Sequence, residues 1–112
     1  MNYNSDEMQI LDLPERDLKK RTRIFALEYI KNNSYYNSKI VITNFLLLDL
    51  ELSPKSKKYA ESKGKMRYDL RKITHKLLNI GIIIPYNTQC YRINRKKVSE
   101  YTPFLANVFD LV

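Results

Sequence analysis

Met66, Leu70, Ile73 and Leu77 recur at steps of four, three and four residues, and Gly81 follows where that rhythm stops. Such spacing lines one face of an α-helix over residues 65–79. It leaves Arg67, Tyr68, Arg71, Lys72, His75 and Lys76 on the opposite face. Gly enters the left-handed conformation that ends helices without a Cβ penalty, so residue 81 marks the exit. Residues 82–86 and 90–94 are then short β-prone runs separated by Asn87, Thr88 and Gln89, the pattern of a hairpin with a three-residue loop. Pro85 cannot donate to a ladder, which places its strand at a sheet edge. A helix that hands over to a hairpin within a few residues points to an α+β domain.

Charge gives this segment a use. The chain has 112 residues, 44% of them apolar, and a net charge of +8 with pI about 9.6. It is apolar enough to fold as one small domain, and basic enough to favour a polyanionic partner. Between residues 53 and 76 stand nine basic side chains, Lys55, Lys57, Lys58, Lys63, Lys65, Arg67, Arg71, Lys72 and Lys76, against Glu61 and Asp69. That quarter of the chain carries +7 of the +8. Arg92, Arg95, Lys96 and Lys97 form a second basic cluster. Concentrated positive charge releases counterions from a duplex, whereas scattered charge mainly aids solubility.

Upstream, residues 1–13 read as a polar tail. From Pro14 a helix is expected, with Leu18, Thr22, Phe25, Ala26, Tyr29 and Ile30 on one stripe and an end near Asn32 and Asn33. Residues 39–42 form a β-branched run that suits a strand. Thr43 or Asn44 can cap a following helix through Glu51, apolar nearly all round, which predicts a buried middle helix. Residues 55–63 read as an exposed loop or short helix before Gly64. At the end, Phe104, Leu105, Val108, Phe109 and Leu111 predict a helical apolar face over residues 103–112. The expected organisation is a tail at 1–13, a domain at 14–98 and a C-terminal apolar helix at 99–112. That last helix has two uses open to it: packing back on the first helix, or forming a homodimer through the C-terminal and first helices.

The succession helix, strand, helix, helix, strand, strand, with Gly81-Ile82-Ile83 leaving the last helix and Tyr91-Arg92-Ile93 returning, resembles the winged helix-turn-helix family over about residues 16–94. The resemblance implies a three-helix core, a small antiparallel sheet with a wing and, here, an added C-terminal helix. It implies that residues 65–79 enter the major groove of duplex DNA and that residues 86–89 are the wing tip beside it. Residues 52–64 depart from the family's short helix–helix turn. Carried over, Arg67 and Arg71 are placed to fork onto guanine. Tyr68, Lys72, His75 and Lys76 would meet phosphate or sugar, with Lys55, Lys57, Lys58, Lys63, Lys65 and Arg92 adding charge and Asn87, Thr88 and Gln89 supplying uncharged hydrogen bonds. The expected function is a sequence-specific double-stranded DNA-binding protein, a transcriptional regulator. A protein–protein interaction module and an RNA-binding protein are the alternatives.

Other chemistries find little support. His75 and Cys90 lack the companions of a metal site or a nucleophile–base pair, so neither enzyme, metal nor cofactor is expected. One cysteine allows no internal disulfide. The acidic N-terminus is unlike a leader, and no run of about 18 apolar residues is present to span a membrane. An intracellular, cytoplasmic location is the expectation. The nine tyrosines could stack on bases in a single-strand binder, although Tyr29, Tyr59 and Tyr91 have the spacing of core or boundary residues.

Overall fold

Leu18, Thr22, Ala26 and Ile30 stand four residues apart and are all buried, so helix α1 (Glu15–Asn32) presents a continuous inner edge. Its end is closed by side chains: Asn32 and Asn33 donate to the carbonyls of Glu28 and Tyr29, each at 2.8 Å. The computed structural model describes residues 15–111. The expected tail at 1–13, the start at Pro14 and the final Val112 lie outside the described residues.

After α1 the chain enters strand β1 (Tyr35–Tyr36), then helix α2 (Ser38–Asn44), which widens into a π-helical turn (Phe45–Asp49). Next come helix α3 (Lys57–Asn79), strands β2 (Ile83–Pro85) and β3 (Tyr91–Ile93), and helix α4 (Arg95–Val108). The described residues thus form an α+β domain with four helices and one antiparallel sheet ordered β1-β3-β2. Tyr36, Ile83 and Ile93 turn their side chains into the core, where Tyr36 meets Tyr91 with ring centroids 6.3 Å apart. On the other face, Tyr35, Arg92 and Ile84 share a row. Pro85 lies on the edge strand, as its missing N–H requires.

Several local expectations need correcting. Residues 39–42 are helix, not strand, because Asn37 caps α2 with its side-chain oxygen on the Lys39 N–H. Val41, Ile42, Phe45 and Leu46 then bury as two pairs four residues apart. The strand is at Tyr35–Tyr36 instead. No new helix starts at Thr43 or Asn44: α2 continues into the π turn, closed by Leu50 N–H on the Phe45 carbonyl at 3.0 Å. One extra residue in that turn carries Leu48 outward to 72% exposure, so this segment is not apolar-buried all round.

The segment at 52–64 is largely not an insertion. Ser56 caps α3, its Oγ accepting from Tyr59 N–H at 3.1 Å, and the helix runs through Gly64 without a break. The candidate recognition helix is therefore residues 57–79 rather than 65–79, and only residues 50–56 link it to the π turn. Similarly α4 begins at Arg95, capped by Asn94, so Pro103 lies inside it and residues 98 and 99 are both helical. Its Val98 and Leu105, together with the following Phe109, are buried, which packs this element back on the core. No helix among the described residues is long and apolar enough to cross a membrane.

Candidate nucleic-acid interface

α3 owes its orientation to what it buries. Met66, Leu70, Ile73 and Leu77 are at most 1% exposed, and removing even Leu70 to alanine would cost roughly 2 to 5 kcal/mol. Asp69 turns inward with them and receives a bidentate guanidinium from Arg23, at 2.9 Å to Nε and 2.7 Å to an NH group. That hydrogen bonding holds the Arg23 guanidinium above its ordinary pKa. The carboxylate in the middle of α3 is thereby removed from its outer face. Thr74 bends back to donate to the Leu70 carbonyl at 2.8 Å, so it accepts from the Tyr36 hydroxyl at 2.7 Å. Burial pushes the Tyr36 phenol up to about 12. α1 and β1 are thus locked to opposite flanks of α3.

At about 100° per residue, the outward side of α3 divides into three rows. Lys57, Gly64, Tyr68 and His75 run along its crest, and all four are exposed. Arg67 and Arg71 lie on the flank shared with Leu78, which lines an open cleft of about 580 Å³ with Asn37, Lys39, Pro85 and the hairpin tip. Lys58, Lys65, Lys72 and Lys76 occupy the other flank. There Lys76 pairs with Asp110 at 3.2 Å, and Lys72 sits 4.6 Å from the centre of the Tyr68 ring. Lys63 is exposed on the helix's N-terminal half, and Lys55 on the loop before it. The first turn of α3 has no acidic residue but carries Lys57 and Lys58, where the helix dipole disfavours cations and favours an anion.

The hairpin is more committed than its sequence suggests. Asn87 Oδ1 accepts from the N–H groups of Gln89 and Cys90, each at 2.8 Å, so this oxygen shapes the turn rather than awaiting a ligand. Asn37 Nδ2 donates to the Gln89 carbonyl, tying the tip to the start of α2. The side chains of Thr88 and Gln89 remain exposed beside the cleft.

The second basic cluster does not join this surface. Arg95 donates to the carbonyls of Ile30, Lys31 and Asn33, at 2.9, 2.7 and 2.9 Å, and so closes the end of α1. Lys97 Nζ donates to the Ile80 carbonyl at 2.9 Å and closes α3. Arg92 is exposed, but on the face of the sheet turned away from the core and from α3. Of the sequence-derived set, Asn87, Thr88 and Gln89 line the cleft, and Arg67 and Arg71 lie on the flank of α3 whose Leu78 also lines it. The remaining α3 residues stand on the crest or the other flank, and Arg92 lies apart from them.

Sequence reasoning passed over Arg23, Asn37 and Tyr35, and placed Tyr86 in the wing tip without seeing its pairing with Tyr35. The signals were present: Asn37 stands before a helical pair pattern, and Tyr35-Tyr36 is a β-prone pair after a turn. Tyr35 and Tyr86 lean across β3 to bring their rings within 5.2 Å, and the hydrogen bond with Tyr86 raises the Tyr35 phenol above its ordinary pKa. Comparison with protein-family models, with curated proteins and with solved structures gives no match.

Proposed function

We propose that this chain is a winged helix-turn-helix protein that binds duplex DNA, with α3 in the major groove and the β2–β3 hairpin as its wing, acting as a sequence-specific transcriptional regulator. The element order and the β1-β3-β2 sheet support the fold reading. One observation carries the functional reading. The outward side of α3 carries Lys57 on its crest and basic side chains on both flanks against one exposed carboxylate, Glu61, while Asp69 is turned in and neutralised by Arg23. Arg67 and Arg71, on the flank beside the hairpin cleft, are the base readers in this reading. Lys57, Lys65 and Lys72 position the helix on phosphates.

Fluorescence anisotropy with duplexes selected from a random library tests it. Affinity should fall steeply with salt, and Arg71→Ala should weaken a selected site by about 1 to 3 kcal/mol while relaxing the base preference at one position. Lys65→Ala should weaken all sequences alike and reduce the salt slope by about 1. Binding that ignores salt and sequence would defeat the proposal. A homodimer would use the outward Tyr101 and Phe104 of α4, 37% and 60% exposed, and light scattering of the free and DNA-bound protein reads its stoichiometry.

A further inference from the structure

The outer face of the sheet carries a second surface with a different chemistry. Tyr35, Arg92 and Ile84 form one row across the three strands, and Tyr86 follows on the same face just beyond β2. Tyr35 and Tyr86 are 46% and 56% exposed, although a sheet face rich in aromatics is ordinarily covered by a helix. Arg92 is exposed beside them, and among the described residues no ion pair engages it. The strands and the chain on either side of them carry no negative charge: residues 29–48 and 70–99 contain no Asp or Glu. Two tyrosine rings and a cation on a carboxylate-free sheet are complementary to a ligand that is flat, polarisable and anionic.

We infer that this face stacks unpaired bases of single-stranded DNA, with Tyr35 and Tyr86 as the platform and Arg92 against the adjoining phosphate. Every base has a π-face, so such a platform binds single strands with little sequence preference. A duplex hides those faces within its stack, which separates this site from the α3 surface in substrate as well as in position. The inference does not rest on the duplex reading, since Arg92 and the two tyrosines face away from α3. A protein having both surfaces would hold a duplex and an adjacent opened strand together.

The test uses the full chain and a labelled oligothymidine of about a dozen nucleotides, within the range of single-strand site sizes. Replacing both tyrosines, Y35A/Y86A, should weaken this probe roughly 5- to 150-fold for each base stacked, and Y35A alone, which lies outside the hairpin, should weaken it while leaving duplex affinity in place. Y35L/Y86L removes the π-faces while keeping apolar bulk on the sheet, and should show the same loss. The chain has no tryptophan, so Y86W installs a single reporter whose emission should be quenched by the oligonucleotide. R92Q should lower the salt slope for the single strand by about 1. A pair that only braces the sheet would instead lower the melting temperature of Y35L/Y86L without changing its affinity, and that result would overturn the inference. So would failure of the wild type to bind the probe, equal losses on duplex and single strand, or preference for an oligouridine of the same length. R71A is the control on the other surface: loss of duplex binding alone in that variant keeps the two readings apart.

Discussion

Arg23→Met should be among the most damaging substitutions at a partly exposed position of this protein. Asp69 is 4% exposed and receives both of its short hydrogen bonds from the Arg23 guanidinium. Methionine fills the stem's volume and leaves a buried carboxylate without its partner, a loss of about 3 to 5 kcal/mol. Asp69→Leu should cost less, about 1 to 2 kcal/mol, because the Arg23 side chain is 22% exposed and Asp110 already stands 3.9 Å away to share its charge. The double variant Arg23→Met/Asp69→Leu, with no buried charge left, should return to within about 1.5 kcal/mol of the wild type. Urea unfolding followed by circular dichroism measures all four proteins. At a slope of about 1.5 kcal/mol per molar, the first substitution moves the midpoint down by about 2 to 3 M. Equal penalties for the two single variants, or simple additivity in the double, would falsify this account of the pair.

Three further perturbations probe the same framework. Tyr36→Phe should cost about 1 kcal/mol at neutral pH, through the lost bond to Thr74. The order should then reverse in alkali: the unfolded wild type ionises this tyrosine near pH 10 while the folded protein keeps its proton to about 12, so across that window wild type alone loses roughly 2 to 3 kcal/mol. Urea midpoints of the two proteins between pH 9.5 and 11.5 follow the crossing, roughly over the range set by the ordinary tyrosine pKa, and a constant gap would refute the linkage. Gly81→Ala should destabilise by about 1 to 2 kcal/mol, because residue 81 sits at φ +76° and an added Cβ would lie 2.7 Å from Lys97 Nζ; an unchanged melting temperature would count against it. Gly64→Ala should stabilise by up to about 1 kcal/mol, since a Cβ there meets nothing within 4 Å, and a lowered midpoint would show that this crest position is constrained by more than helix propensity.

What could be read from the sequence was whatever repeats along one element. The stripe of α3, the Gly81 exit and the edge position of Pro85 are local consequences of period and backbone chemistry, and each lies where its pattern indicates. The failures occurred where a conspicuous composition competed with a modest cap. The β-branched residues 39–42 favour a strand in isolation, yet one amide at Asn37 and burial at four-residue intervals make them helical. Gly64 and the lysines around it looked like a break, but Ser56 caps a helix whose cooperative length carries it through one glycine. For the candidate surface, which residues face outward on α3 was legible from period alone. The partners of Arg23, Arg95 and Lys97 were not, because each contacts an element far away in the chain.

Asn37 joins two elements through one side chain, beside the backbone pairing of β1 with β3. The oxygen of its amide begins α2 while the nitrogen of the same amide holds the hairpin tip at Gln89. A load that lifts the tip therefore pulls on the first turn of α2, and a half-turn of one planar group releases both ends together. The hairpin tip and the first turn of α2 therefore share a single anchor, and replacing that amide would loosen both at once.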